Sequence, residues 1–328
     1  MDAIAAAVAA AAALSPMPVA PVAPAVVPGR TLLVDGDYLA YYCGGSSDSE
    51  SSAGEARASA RERIEKQRVM AGAEHVVVHL TDSGSTKGNR FMLATVKPYQ
   101  GNRNGKSQKP KHWAYLRDWM QTGGDGMFKV KTWGDREADD GATYHAMVLG
   151  PERSVLTCAD KDWRMTPGWH LDWRTWELVY MAPGTFEMMD SNGHMHGEKF
   201  FWWQCIRGDG ADNIPGLPYA VIGGKRLQLG EARATQYLES ATCNLSAFAI
   251  VGALYRTYYP DDWQLQLAEQ MSLLWMRRDK TAEIDDVLRW MPEKIGTIMQ
   301  PAFNQLKARV AEHYAQLDAV CKNLPTQQ

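Results

Sequence analysis

The stretch Gly208-Asp209-Gly210-Ala211-Asp212-Asn213-Ile214-Pro215-Gly216 decides how the rest of the chain is read. Two carboxylates stand three residues apart, and Asn-Ile-Pro-Gly follows at once, a turn that closes one element and opens another. Alone, such a pair could simply cap a helix or hold a turn through its own backbone. Three earlier acidic clusters argue for more, because each stands where a strand should end. Asp35 and Asp37 follow Leu32-Leu33-Val34, and Glu137, Asp139 and Asp140 follow Phe128-Lys129-Val130-Lys131. Asp160 and Asp162 follow Ser154-Val155-Leu156-Thr157. Sites in open α/β sheets form at the carboxyl ends of strands, so these clusters should converge. So many carboxylates share one place only if cations hold them together.

Working outward, short apolar runs alternate with helical segments. Thr31–Val34 reads as a buried first strand, Glu55–Met70 as a helix, and Glu74–Leu80 as a second strand ending at Thr81-Asp82. Phe128–Thr132 is a third strand, Glu137–Leu149 its helix, and Val155–Cys158 a fourth strand. Trp169–Tyr180 suits a strand or hairpin, and Glu198–Ile206 a helix that leads into the acidic turn. The alternation predicts an α/β fold with a mostly parallel sheet. After Gly230 the chain reads as helical: Glu231–Glu239, Leu245–Tyr258, Trp263–Arg278, then segments interrupted at Pro301.

The 328 residues can hold one large domain with an appendage, or two domains. Composition is that of a globular protein, 45% hydrophobic and 22% charged. A net charge of −3 announces no nucleic-acid partner in bulk, but its distribution does. Between Asp82 and Asp118 no acidic residue occurs, while Lys87, Arg90, Lys97, Arg103, Lys106, Lys109, Lys111 and Arg117 do, with Tyr99, Trp113 and Tyr115 interleaved. A one-sign run with aromatics reads as a phosphate-binding patch, and Gly101, Gly105 and Pro110 make it a mobile loop before a helix near Lys111.

The five scattered cysteines contain no CxxC, which excludes a disulfide framework and a cysteine zinc site and fits a reducing compartment. The first thirty residues are rich in Ala, Pro and Val. Asp2 precedes the Ala3–Leu14 run where a signal peptide would carry a basic residue, so residues 1–30 read as a disordered tail. No later apolar run is long enough to cross a bilayer, so no membrane partner is expected.

On a helix, Glu137 and Asp140 share a face, and on an extended segment Asp160 and Asp162 point to one side. With Asp35, Asp82, Asp209 and Asp212 they would form a cage of oxygen ligands for two cations, suited to hydrolysing a phosphodiester. Carboxylates without cysteine select Mg²⁺ or Mn²⁺ over Zn²⁺. His194 and His196 form an HxH in a Gly-flanked loop that reads as an exposed turn. Neither a P-loop nor an HExxH occurs.

Six ordered motifs resemble those of the flap-endonuclease superfamily, especially its bacteriophage 5′-3′ exonucleases. They are Val34-Asp35-Gly36-Asp37, Thr81-Asp82-Ser83, Tyr99-Gln100-Gly101-Asn102-Arg103, Glu137-Ala138-Asp139-Asp140, Asp160-Lys161-Asp162 and Gly208–Gly216. The resemblance spans Thr31 to Leu229. It implies a PIN-like nuclease domain over residues 31–207, followed over 208–328 by a helix–three-turn–helix that grips duplex DNA and by a helical C-terminal extension. By motif, Asp35, Asp82, Glu137, Asp139, Asp140 and Asp160 would line a tighter metal position, and Asp162, Asp209 and Asp212 a second one. Lys87 to Arg117 would be the arch over the 5′ strand, with Lys87, Arg90, Lys97, Arg103 and Lys106 on DNA. Gly223, Gly224, Lys225 and Arg226 would belong to a glycine-rich hairpin where the family often binds K⁺.

The chain departs from the family at Gln100, usually basic, which shifts phosphate steering to Lys97, Arg103 or Lys106. It also departs in the longer connection Leu217–Val221 before the hairpin. The implied activity is metal-dependent 5′-3′ exonuclease and flap cleavage in DNA replication. Its partners would be DNA with 5′ ends or flaps and RNA–DNA hybrids. The implied protein is a monomer in the cytoplasm, the host's if viral. A PIN-type ribonuclease would need a similar carboxylate set but not the Asp209–Asp212 pair. A catalytically silent DNA-junction binding protein would be expected to have lost carboxylates, and all nine positions here are acidic.

Overall fold

The computed structural model describes residues 23–103, 109–157, 160–222 and 225–323. Its frame is a six-stranded sheet in the order β3-β2-β1-β4-β5-β6. The strands are β1 (Val27–Asp35), β2 (Ala73–Thr81), β3 (Lys129–Trp133), β4 (Ser154–Thr157), β5 (Gly168–Leu171) and β6 (Leu178–Met181). The first five run parallel, and β6 turns back on β5 as a hairpin. Ten α-helices accompany the sheet among the described residues.

Strand β1 is central because its residues from Arg30 to Asp35 are buried, which suits a parallel strand covered on both faces. Alternation divides its side chains between two cores. Leu32 and Val34 join a cluster with Leu39 of α1 (Gly36–Cys43), Ile64 of α2 (Ala53–Met70), and Leu116 and Trp119 of α4 (Trp113–Gln121). Short helix α3 (Arg90–Leu93) lies between α2 and α4 in sequence. Leu33 faces the other cluster, with Leu156 of β4 and Ala142 of α5 (Ala138–Leu149).

That second cluster continues without a break into the C-terminal half. It takes Phe201 and Trp202 from α6 (Glu198–Arg207), and Val251 from α8 (Asn244–Tyr258), which follows the short α7 (Glu231–Tyr237). Met271 from α9 (Trp263–Leu274) and Phe303 from α10 (Glu293–Asn323) complete it. The C-terminal helices therefore share the core on this face of the sheet and brace it.

Four expectations are corrected. The expected tail of residues 1–30 ends earlier, because Val27–Arg30 belong to β1: Val27 N–H donates to Gly72 O and Gly29 N–H to Glu74 Oε2. Residues 1–22 lie outside the described residues. Pro301 does not interrupt its helix, because Ile295, Met299, Ala302, Phe303 and Leu306 are all buried around it. Packing on that face outweighs the hydrogen bond a proline removes. Helix α9 stops at Leu274, and Trp275–Arg278 runs on as a buried segment toward the sheet. His196 is buried, and both His194 Nδ1 and His196 Nε2 meet Asp190 Oδ2, at 3.0 and 3.2 Å. The HxH thus fastens a small hairpin, β7 (Met188–Met189) with β8 (Met195–His196), instead of lying exposed.

Candidate metal-dependent active site

The site begins where β1 and β4 end. Asp35 terminates β1 and caps α1, its Oδ1 accepting from Tyr38 N–H at 3.0 Å. Asp160, just beyond β4, accepts from Asp162 N–H at 2.9 Å and so sets the turn that carries Asp162. Glu137 precedes α5, whose start is seated by Ala138 N–H donating to Thr81 Oγ1 at 2.9 Å. Asp139 and Asp140 occupy its first turn, where the helix dipole favours negative charge.

The 208–216 turn supplies the rest. Asp209 and Ile214 exchange backbone hydrogen bonds at 2.9 and 2.7 Å. Gly208 and Gly216 lie back to back, each at positive φ: a Cβ on Gly208 would lie 2.5 Å from Gly216 N, and one on Gly216 2.4 Å from Gly208 N. Only glycine fits there. Asp209 and Asp212 are thereby held against Asp162, with one carboxylate oxygen of each within 4.8 Å of the others.

The carboxylates divide by how they are neutralised. Asp140 is fully buried, and both its oxygens accept from the Arg90 guanidinium, at 2.6 and 2.9 Å. Arg277 N–H adds a third bond at 2.8 Å. Arg90 is itself fixed by the carbonyls of Leu273 and Trp275, so the segment leaving α9 closes this side. Burial works to raise the Asp140 pKa, but Arg90 and Arg277 outweigh it and hold the carboxyl below its ordinary value.

On the other side, the Lys161 ammonium lies 2.9 Å from Asp162 Oδ1 and 2.8 Å from Asp209 Oδ2, and Gln204 Nε2 donates to Asp162 Oδ1 at 2.6 Å. Burial, then Asp160, pushes Asp162 up to about 7. Burial, then Asp37, does the same to Asp35, also to about 7. Asp212 is raised to about 6 by burial and then Glu137. Asp139 is pushed well up by burial and then by Asp140 and Glu137. The cluster without ions thus holds more negative charge than its surroundings tolerate.

One tie bridges the two sides. Gln100 Nε2 donates to Glu137 Oε1 and to Asp212 Oδ1, both at 3.1 Å, and Tyr99 OH meets Glu137 Oε2 at 2.6 Å. Lys87 Nζ donates to Gln100 Oε1 at 2.8 Å and lies 3.4 Å from Glu137 Oε1. Lys87, Asn89, Gln100 and Asn213 all have left-handed backbone, φ between 49° and 62°. Such non-glycine conformations cost about 1–3 kcal/mol each and persist where the surroundings impose them, often at functional sites.

No family model and no curated protein matches the sequence. Solved structures do. A bacteriophage T5 5′-exonuclease with bound divalent metal ions (zinc) superposes with a TM-score of 0.54 at 17% identity, covering 86% of this chain and 99% of that one. A T5 flap endonuclease in a complex with DNA and metal ions gives 0.52 at 18% identity, covering 86% and 98%. A T5 protein co-crystallised with metal ions gives 0.51 at 18% identity over the same shares. The fold is that of the T5 5′-exonuclease.

Within this 5′-exonuclease fold, Asp162, Asp209 and Asp212 fit a hard divalent cation. Their donors are all carboxylate oxygens, already within reach of one another. Asp35, Glu137, Asp139 and Asp160 lie near enough to influence one another: the charges of Asp37 and Asp160 act on Asp35, and those of Asp140, Glu137 and Asp160 on Asp139. Two expectations fail. Asp140 spends both oxygens on Arg90 and has no exposed surface left for a metal. Asp82 is exposed, its Oδ1 accepting from Gly84 N–H at 2.8 Å, and no interaction among the described residues joins it to the other carboxylates.

Several cations of the basic run are engaged by the protein itself. Arg90 is buried, so it cannot meet a DNA phosphate as expected. Arg117 pairs with Asp37 at 3.2 Å, and Lys111 donates to Ser49 O at 2.8 Å. Arg103 is half exposed and meets Asp212 Oδ1 at 2.5 Å. Lys97 makes no ion pair among the described residues. Lys106, Gly223 and Gly224 lie outside the described residues. Lys225 and Arg226 fall in β10 (Lys225–Gln228), antiparallel to β9 (Pro218–Ile222), so a hairpin does follow the acidic turn. Sequence reading missed Lys87 as the cation beside Gln100, although it lies thirteen residues upstream within the same acid-free run.

Proposed function

We propose that this chain is a metal-dependent 5′-3′ exonuclease and structure-specific flap endonuclease that hydrolyses DNA phosphodiesters. Residues 31–207 would carry the chemistry, and 208–328 the helix–three-turn–helix and helical extension that hold the duplex. The convergence of carboxylates from the ends of β1 and β4, the start of α5 and the 208–216 turn carries this reading. The T5 neighbours bound to DNA and to metal ions give it its substrate class.

Asp35, Glu137, Asp139 and Asp160 would hold one Mg²⁺ or Mn²⁺, and Asp162, Asp209 and Asp212 a second. When bound, such a pair supplies an activated water and a clamp on the attacking and leaving oxygens. The chain's own residues prepare the place. Asp140, locked to Arg90, fixes the first turn of α5 and with it the position of Asp139. Gln100 and Tyr99 orient Glu137 and Asp212 toward each other. Lys87 and Arg103 bring positive charge to the edge of the cluster, where a phosphate would approach. A K⁺ at the β9–β10 hairpin would steady the duplex backbone.

The test is cleavage of 5′-labelled flap, blunt duplex and RNA–DNA hybrid substrates, with and without Mg²⁺. Flap and duplex cutting that stops in excess EDTA is expected, and hybrid cutting shows whether RNA is also a substrate. Undiminished turnover in EDTA, or cleavage of single-stranded RNA alone, overturns the reading.

A further inference from the structure

The ammonium of Lys161 sits where a cation of the second position would belong. It lies 2.9 Å from Asp162 Oδ1 and 2.8 Å from Asp209 Oδ2, two of the three carboxylates that converge there. The carboxylates are nearly closed off, with side-chain exposures of 11% and 4%, while the lysine side chain is 34% exposed. The charge therefore comes in from the solvent side on a flexible stem. Its backbone is anchored in the turn Lys161–Met165, capped by Asp160, so the stem can swing without disturbing the ligand-bearing residues.

We infer that Lys161 is an internal counter-ion that the incoming divalent cation must displace, so that loading of the second position is an exchange of cations. Two facts favour displacement over a permanent role. A lysine ammonium is a compact point charge with rotatable donors, and the exchange leaves it free to be hydrated. Both carboxylates it touches offer an oxygen within 4.8 Å of one on Asp212, so ammonium and divalent cation compete for the same carboxylates. Arg103 does not duplicate it, since among the described residues its ion pair is with Asp212. The exchange makes the second position weaker than its carboxylate count implies, and keeps the cluster neutralised when no metal is bound. The inference rests on the proposed two-cation reading of the site.

The experiment is calorimetric titration of Mn²⁺ alone into the full chain, without DNA, for wild type, Lys161→Met, Lys161→Gln and Lys161→Arg. Removing the competing charge should tighten the weaker Mn²⁺ event by about tenfold in the Met and Gln variants, because a neighbouring positive charge opposes the cation directly. Lys161→Arg should show no tightening and should bind Mn²⁺ at that event more weakly than wild type, since the charge is kept and a guanidinium fork is harder to displace. In EDTA, the Met and Gln variants should melt below wild type, and saturating Mn²⁺ should close that gap. Unchanged or weaker Mn²⁺ binding in both neutral variants overturns the inference, since a lysine that merely positioned Asp162 and Asp209 would lower affinity when removed. If wild type also binds and cleaves, only the counter-ion role falls. If neither wild type nor the neutral variants bind Mn²⁺, the two-cation reading falls with it.

Discussion

Asp140 and Asp162 belong to one carboxylate cluster, yet the molecule neutralises them in opposite ways. Asp140 is locked into a two-pronged pair with a guanidinium, both side chains nearly sealed from water at 0% and 4% exposure. Asp162 and Asp209 share an ammonium that reaches in from solvent and can leave. Arginine's planar fork suits a permanent pair, and lysine's flexible point charge suits a replaceable one. Neutralisation by a buried arginine marks the part of an acidic cluster that has become structure. Neutralisation by cations that reach in from solvent, Lys161 and the half-exposed Arg103 on Asp212, marks the part still open to a cation.

The largest test of that contrast is Arg90→Ala. It would leave Asp140 buried and unpaired, which costs about 3–5 kcal/mol, a large share of a typical domain's stability. Arg90→Lys should recover little, because one ammonium cannot reproduce the bonds to Asp140 and to the carbonyls of Leu273 and Trp275. Urea unfolding of both variants reads it. A midpoint near wild type for Arg90→Ala would show that the guanidinium is not a structural part of the cluster. By the same reasoning Asp140→Asn strands Arg90, so its effect should appear in stability as well as in cleavage.

A smaller effect separates the halves by metal rescue. Asp212→Asn removes one ligand from a position that Mg²⁺ fills partly with water, so it should raise the metal concentration needed for half-maximal cleavage by about tenfold. Saturating Mg²⁺ or Mn²⁺ should restore much of the rate. Asp140→Asn should gain nothing from added metal, because what it loses is an arginine partner. Single-turnover cleavage across a metal titration compares the two. Rescue of Asp140→Asn by metal would place Asp140 back among the ligands.

This division was only half legible in the sequence. The sheet, its parallel sense and the gathering of acids at strand ends could be read because apolar runs, Asp-rich turns and helix starts are local signals. Which cation answers which carboxylate is decided at long range. Arg90 meets Asp140 fifty residues on, and the Arg277 backbone arrives from 137 residues away. One local hint was available. Arg90 opens a helix whose remaining residues, Phe91, Met92 and Leu93, are apolar, an unusual place for a charge meant for solvent. Pro301 misled because its helix is held by burial, which propensity does not record. The 208–216 turn was legible because glycines flanking an Asp pair leave few conformations open.

The smallest effect is one of pH, and its sign differs between the halves. Asp35 and Asp162 stand at about 7 in the folded protein, raised chiefly by burial. Between the ordinary carboxylate value and pH 7 they keep protons that the unfolded chain has lost. The folded state then binds more protons, so without metal stability should fall as pH rises through that window. One proton's difference corresponds to about 1.4 kcal/mol per pH unit. Asp140 behaves oppositely. Its pKa is lowered in the folded state, so the stability it contributes is present above the ordinary value and is lost only in acid. Metal-free protein should therefore be most stable in mildly acidic solution and weaken on either side. Saturating Mg²⁺ should abolish the decline toward neutral pH, since a cation binds the deprotonated carboxylates and takes over the protons' role. Thermal melts in EDTA and in Mg²⁺ from about pH 4 to 8 measure this. A metal-free melting temperature that climbs between pH 6 and 7 would mean that the lysine side is already compensated, and the contrast between the two halves would not hold.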